Sequence, residues 1–194
     1  MENDLINGNL NTNNNTNKSR NRWMAYLVFA ALFAFLSLIA WGMQRSQSPI
    51  LAVGSPAPEF TLTLYDGQTV SLQSLKGKTV LLNFWASWCG PCEQEAGHLQ
   101  SAWQTYAGRD DVVFIGPAYA DTEKNARTFL SKHAITYLNG ADRGSKISDL
   151  YRVRGVPETF IINADGNLAA IKIGPFNSAS EITGLINPII EAGE

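Results

Sequence analysis

Two cysteines, Cys89 and Cys92, are the only thiols in the 194-residue chain, and they sit in NFWASWCGPCEQE, Asn83 to Glu95. A pair at this spacing has three chemical uses. As a structural bridge it closes a loop of about four residues, which stabilises a fold by only about 2 kcal/mol, against about 4–5 for a loop of a hundred. As a zinc site it needs four ligands, and the chain offers only His98 and His133 in addition. As a redox pair it needs an accessible thiolate and a second thiol that reaches the mixed disulfide quickly, and two intervening residues at a helix start supply both. The third use fits best, so the pair is read as a redox-active disulfide, Cys89–Cys92.

The neighbouring residues define the roles. Cys89 falls at the start of a predicted helix, where unpaired amides and the helix dipole favour its anion; lowering a thiol from about 8.5 to about 7 is worth roughly 2 kcal/mol. Cys89 is therefore the attacking cysteine, and Cys92, one turn further in, the resolving one. Gly90 has no side chain and Pro91 no N–H, which keeps the approach to Cys89 open. Trp88 adjoins Cys89 and belongs on the substrate-facing surface, whereas Trp85 reads as core. Glu95 follows Cys92 by three residues on the same helical face, so it is placed either to hold a proton for that thiol or simply to suit the positive end of the helix.

The elements that position these residues alternate. EFTLTLYDGQTVSL carries two strand-like runs around Asp66-Gly67, a tight hairpin. Lys78–Ala86, KTVLLNFWA, is a continuous apolar run suited to a strand covered on both faces, and the helix after it places Leu99, Ala102, Trp103 and Tyr106 on one stripe. DVVFIG is a second buried strand. DTEKNARTFLSKH is a helix with Asp121 as its expected N-cap, and GSKISDLYRV is a further helix in a central helical insert. ETFIIN and LAAIKIG form a second hairpin around Ala164-Asp165-Gly166, before a closing helix from about Ser178 to Glu191. The order β, α, β, α, α, β, β, α predicts an α/β fold: a central mixed sheet flanked by helices, with an N-terminal hairpin.

Four segments are predicted. Residues 1–22 hold nine asparagines and little that is apolar, and read as a disordered tail. Residues 23–43 contain the uncharged run Trp23–Trp41, about 28 Å as a helix, and read as one transmembrane anchor. Residues 44–53 form a linker and residues 54–194 the folded domain. Lys18, Arg20 and Arg22 before the span, against Arg45 after it, put the N-terminus in the cytoplasm and the domain outside the inner membrane, where unprotected thiols oxidise. From Gly54 onward eleven basic residues face fifteen acidic ones, with no basic block, so no nucleic-acid partner is expected.

NFWASWCGPC, VPETFIIN and the opening GSPAPEFTL together resemble the membrane-anchored, thioredoxin-like thiol-disulfide oxidoreductases of cytochrome c maturation, the redoxin group, over nearly all of residues 54–194. The resemblance implies a thioredoxin-like fold and no cofactor beyond the cysteine pair. It makes Val156-Pro157 the cis-proline turn facing the dithiol, a site that otherwise reads as proline at a strand start, and it matches Glu95 and Glu158 to the group's acidic positions. Where thioredoxin has a buried aspartate this chain has Asn83, so Glu95 is its natural substitute. The Gly-Pro dipeptide is that of thioredoxin, at about −270 mV, which favours a reductase. The implied substrate is the haem-attachment disulfide of apocytochrome c or of another extracytoplasmic protein, and the implied electron donor an integral-membrane thiol protein. General disulfide reduction or oxidation remains an alternative. A thiol peroxidase is disfavoured by Ala86, which stands where peroxiredoxins carry threonine, and a copper-delivery module by the two-residue rather than three-residue spacing.

Overall fold

The computed structural model describes residues 16–45 and 51–192. The uncharged run lies inside helix α1 (Thr16–Arg45), whose segment Arg22–Ile39 is long and apolar enough to cross a membrane. The helix starts seven residues before Trp23 and so takes in the end of the expected tail: neither Pro nor Gly interrupts the chain between Thr16 and Trp41, and nothing there ends a helix. The rest of the expected tail, and residues 46–50 of the expected linker, lie outside the described residues. A second unit begins at Leu51, three residues ahead of the expected boundary, because Leu51 packs on the core and the Gly54 N–H donates to the Leu168 carbonyl.

In that unit β1 (Thr61–Thr63) and β2 (Thr69–Ser71) form the first hairpin, with Gly67 at φ 89° in the turn. The apolar run gives β3 (Thr79–Phe84), buried along its whole length, followed by α2 (Gly90–Tyr106), β4 (Val112–Tyr119) and α3 (Glu123–Lys132). Then come β5 (Leu138–Asp142), a short 3₁₀ turn at Arg143–Ser145, α4 (Lys146–Leu150), β6 (Glu158–Ile162), β7 (Leu168–Ile173) and α5 (Ala179–Glu191). The main sheet runs β5-β4-β3-β6-β7, with β3, β4 and β5 mutually parallel and β6 and β7 antiparallel to their neighbours.

Strand β5 is the element absent from the predicted order. LNGAD has neither alternation nor a β-branched residue, so no periodicity marks it. It forms by close approach: a Cβ at Gly140 would lie 2.3 Å from the Thr63 carbonyl oxygen, and one at Gly116 only 2.1 Å from Asn139 Oδ1. The central insert is also shorter than GSKISDLYRV, since α4 spans five residues.

The alternation of β3 divides the core. Val80, Leu82 and Phe84 face the hairpin, Ile147 and Tyr151; Leu81 faces Leu99, Phe114, Ile182 and Ile186 of α2, β4 and α5. Both faces are therefore covered, as a parallel-centred sheet requires. At the carboxyl end of β3 a third cluster joins Trp85, both cysteines, Ala96 and Phe129.

Candidate active site

Strand β3 delivers the chain to the start of α2, and Cys89 is the residue at which strand becomes helix. It is the N-cap: its Sγ accepts the Cys92 N–H at 3.1 Å, as a serine or aspartate oxygen would. Gly90 and Pro91 make the first turn, where the missing N–H of proline costs nothing. Cys89 and Cys92 are joined as a disulfide, and both are buried, Cys89 slightly less so.

The segment before Cys89 is tied to the loop after β4. Asp121 accepts the Ser87 N–H at 2.6 Å and the Ser87 hydroxyl at 3.0 Å. The Trp88 indole, 60% exposed, donates to the Ala120 carbonyl at 3.2 Å. Asp121 is thus not the N-cap of α3. Thr122 is, accepting the Asn125 N–H, because the aspartate is engaged on Ser87. Trp85 is core: it stacks on Phe129 at 4.7 Å between centroids and donates to Asn139 Oδ1 at 2.9 Å.

Across from the disulfide, the Val156-Pro157 peptide bond is cis, and the Val156 carbonyl oxygen lies 3.4 Å from Cys89 Sγ. The β3–β6 pairing brings these loops together, since Phe84 is opposite Glu158 and Asn83 opposite Thr159. Glu158 is buried beside the turn and accepts the Arg154 N–H at 3.3 Å; burial raises its carboxyl above the usual carboxylate range.

Glu95 is fully buried one turn beyond Cys92. Its carboxyl accepts the Asn83 side-chain N–H at 2.9 Å and the Phe176 backbone N–H at 3.0 Å, and Asn83 also donates to Thr159 Oγ1. Burial is the largest influence on this acid and lifts it to about 7, against the opposing pull of the two donors. One oxygen is therefore held by β3 and the other by the segment between β7 and α5, and neither hydrogen bond goes to a sulfur. Phe176 and Thr159 are not marked in the sequence, and Asp121 is expected there as a cap rather than as the partner of Ser87. The backbone donor of Phe176 leaves no trace in residue type, and Asp121 carried the signature of a cap.

A CxxC disulfide capping a helix after a buried central strand, opposite a cis-proline, on a five-stranded mixed sheet, defines a thioredoxin-like thiol-disulfide oxidoreductase. Residues 53–171 match the model of the AhpC/TSA family, and the chain belongs to that family. It is 30% identical to the thiol-disulfide oxidoreductase ResA of Oceanobacillus iheyensis, over 88% of this chain and 87% of that one. The thioredoxin-like protein YneN of Bacillus subtilis is 31% identical over 79% of this chain and 90% of its own length. Among solved structures, a thioredoxin-family thiol:disulfide interchange protein from Chlorobium tepidum superposes with a TM-score of 0.65 at 28% identity, covering 72% of this chain and 98% of that one. Among the described residues no group of three or more His, Cys, Asp or Glu side chains is placed to hold a metal.

Proposed function

We propose that this oxidoreductase is tethered to the outer face of the cytoplasmic membrane by residues 23–43, with its N-terminus inside, and reduces the haem-attachment disulfide of apocytochrome c. In the reduced enzyme the Cys89 thiolate attacks one substrate sulfur, and the substrate disulfide breaks. The departing substrate thiolate takes a proton, leaving a mixed disulfide on Cys89. Cys92 then loses its proton and attacks Cys89 Sγ, which releases the second substrate thiol and leaves the Cys89–Cys92 bridge. Two electrons have passed to the substrate, and an integral-membrane dithiol protein returns them. Trp88, Gly90, Pro91 and the Val156-Pro157 turn form the surface that receives the substrate peptide.

The geometry that carries this reading is the Cys89–Cys92 pair capping α2 beside the Val156 carbonyl, with Glu95 buried one turn from Cys92 and lifted by that burial to about 7. Thiol exchange moves protons at neutral pH, and a carboxyl in that range can hold one where solvent is excluded. A relative 30% identical over most of its length is named a thiol-disulfide oxidoreductase, which supports the exchange chemistry. The test is Cys89→Ala in the native host. Holocytochrome c falls to background if the reading is right, and added small-molecule thiol restores it. Normal holocytochrome in the variant, with other exported disulfides left oxidised, would assign the enzyme to general disulfide reduction instead.

A further inference from the structure

The carboxyl of the buried Glu95 accepts the backbone N–H of Phe176, in the five-residue strap Gly174–Ser178 between β7 and α5. That strap is pinned at three points. At its start the Gly174 N–H donates to the Pro157 carbonyl at 3.0 Å. At its end Glu181, in the first turn of α5, accepts the Asn177 N–H with Oε2 at 2.9 Å, and Ser178 caps the helix by accepting the Glu181 N–H. Glu181 Oε1 in turn holds Lys172 Nζ of β7 at 2.6 Å, and that ammonium lies 5.7 Å from the Phe176 ring centroid. Lys172, Glu181 and Asn177 thus close a ring around the buried Phe176.

We propose that the Lys172–Glu181 ion pair is a clasp whose task is to hold the Phe176 amide against Glu95, making Lys172 and Glu181 positioning residues for the active-site acid. The inference rests on the reading of Glu95 as the group that holds the thiols' proton. The charged or polar groups facing Glu95 are Asn83 of β3, Tyr137 ahead of β5, Lys172 of β7 and Glu181 of α5. An open clasp withdraws an N–H donor from the carboxylate, so the acid holds its proton to higher pH. The two halves of the clasp give a decisive sign. Acting only through space, removal of the Glu181 charge would make Glu95 more acidic, whereas loss of the strap makes it less acidic.

The experiment is a ¹³C-carboxyl titration of the oxidised full chain in detergent micelles, with Glu95 assigned as the resonance lost in Glu95→Gln. Amide exchange at Phe176 is read on the same samples. Lys172→Met and Glu181→Ala should each move the Glu95 midpoint up by about half a pH unit or more, and Lys172→Arg should restore it. Phe176 exchange should speed by about tenfold in the first two variants and not in the third. A downward shift in Glu181→Ala, or unchanged Phe176 exchange in Lys172→Met, overturns the clasp. A parent midpoint near the ordinary carboxylate value would instead sink the proton-holding role of Glu95, while the exchange rates would still decide the clasp.

Discussion

At Cys89 a sulfur stands where helices usually place an oxygen. The N–H it accepts from Cys92 is present before any substrate arrives, so on reduction the thiolate inherits a donor already aimed at it. Glu95 has the opposite electrostatics, since burial favours its neutral form. Its consequence for stability has a definite sign. A carboxyl at about 7 in the folded chain and near 4.5 unfolded favours the fold fully below pH 4.5. That contribution, about 3 kcal/mol, is lost as pH rises to about 7 and changes little beyond. Urea unfolding of the oxidised chain between pH 4.5 and 8 should therefore show a decline that Glu95→Gln largely removes; parallel curves for the two proteins would contradict it. Glu93, Asp111 and Glu181 do not blur this window, because their partners lower them and their effects fall at more acid pH, whereas Glu158, which burial also raises, adds a decline of the same sign that Glu95→Gln leaves in place.

Among the elements, the first hairpin is held to the main sheet by the isolated bridge between Leu64 and Gly140 and by the Tyr65 N–H on the Asn139 carbonyl. Gly140→Ala would drive a methyl into the Thr63 carbonyl, a backbone atom that cannot swing aside. The expected cost is about 2–4 kcal/mol in thermal or urea unfolding. A loss below about 0.5 kcal/mol would show that the hairpin is free to shift. This contact also marks the limit of what the sequence discloses. The runs of β3, β4, β6 and β7 and the stripe of α2 announce themselves through hydrophobic patterning, and the cysteines through spacing. Strand β5 does not, because its formation depends on two glycines meeting side chains and backbone from distant segments. The partners of Glu95 are equally silent: Asn83 could be picked out by its place on β3, but the Phe176 N–H and the Lys172–Glu181 pair depend on how β7 and α5 meet.

For the whole molecule, the arrangement of charge around α1 implies a direction. Three cations precede the span and one follows it closely, so the folded unit should lie outside. A membrane-impermeant maleimide added to intact, reduced cells should label Cys89; labelling only after permeabilisation would reverse the orientation. The setting of the cysteines among aromatic rings carries one more implication, and it is optical. Trp85 packs in the same cluster as both cysteines, and Trp88 is the residue next to Cys89. A disulfide accepts an electron from an excited indole and darkens it, whereas a dithiol does so far less. Each reduction should therefore brighten the tryptophan emission and each oxidation dim it, so that the oxidation state can be read as light.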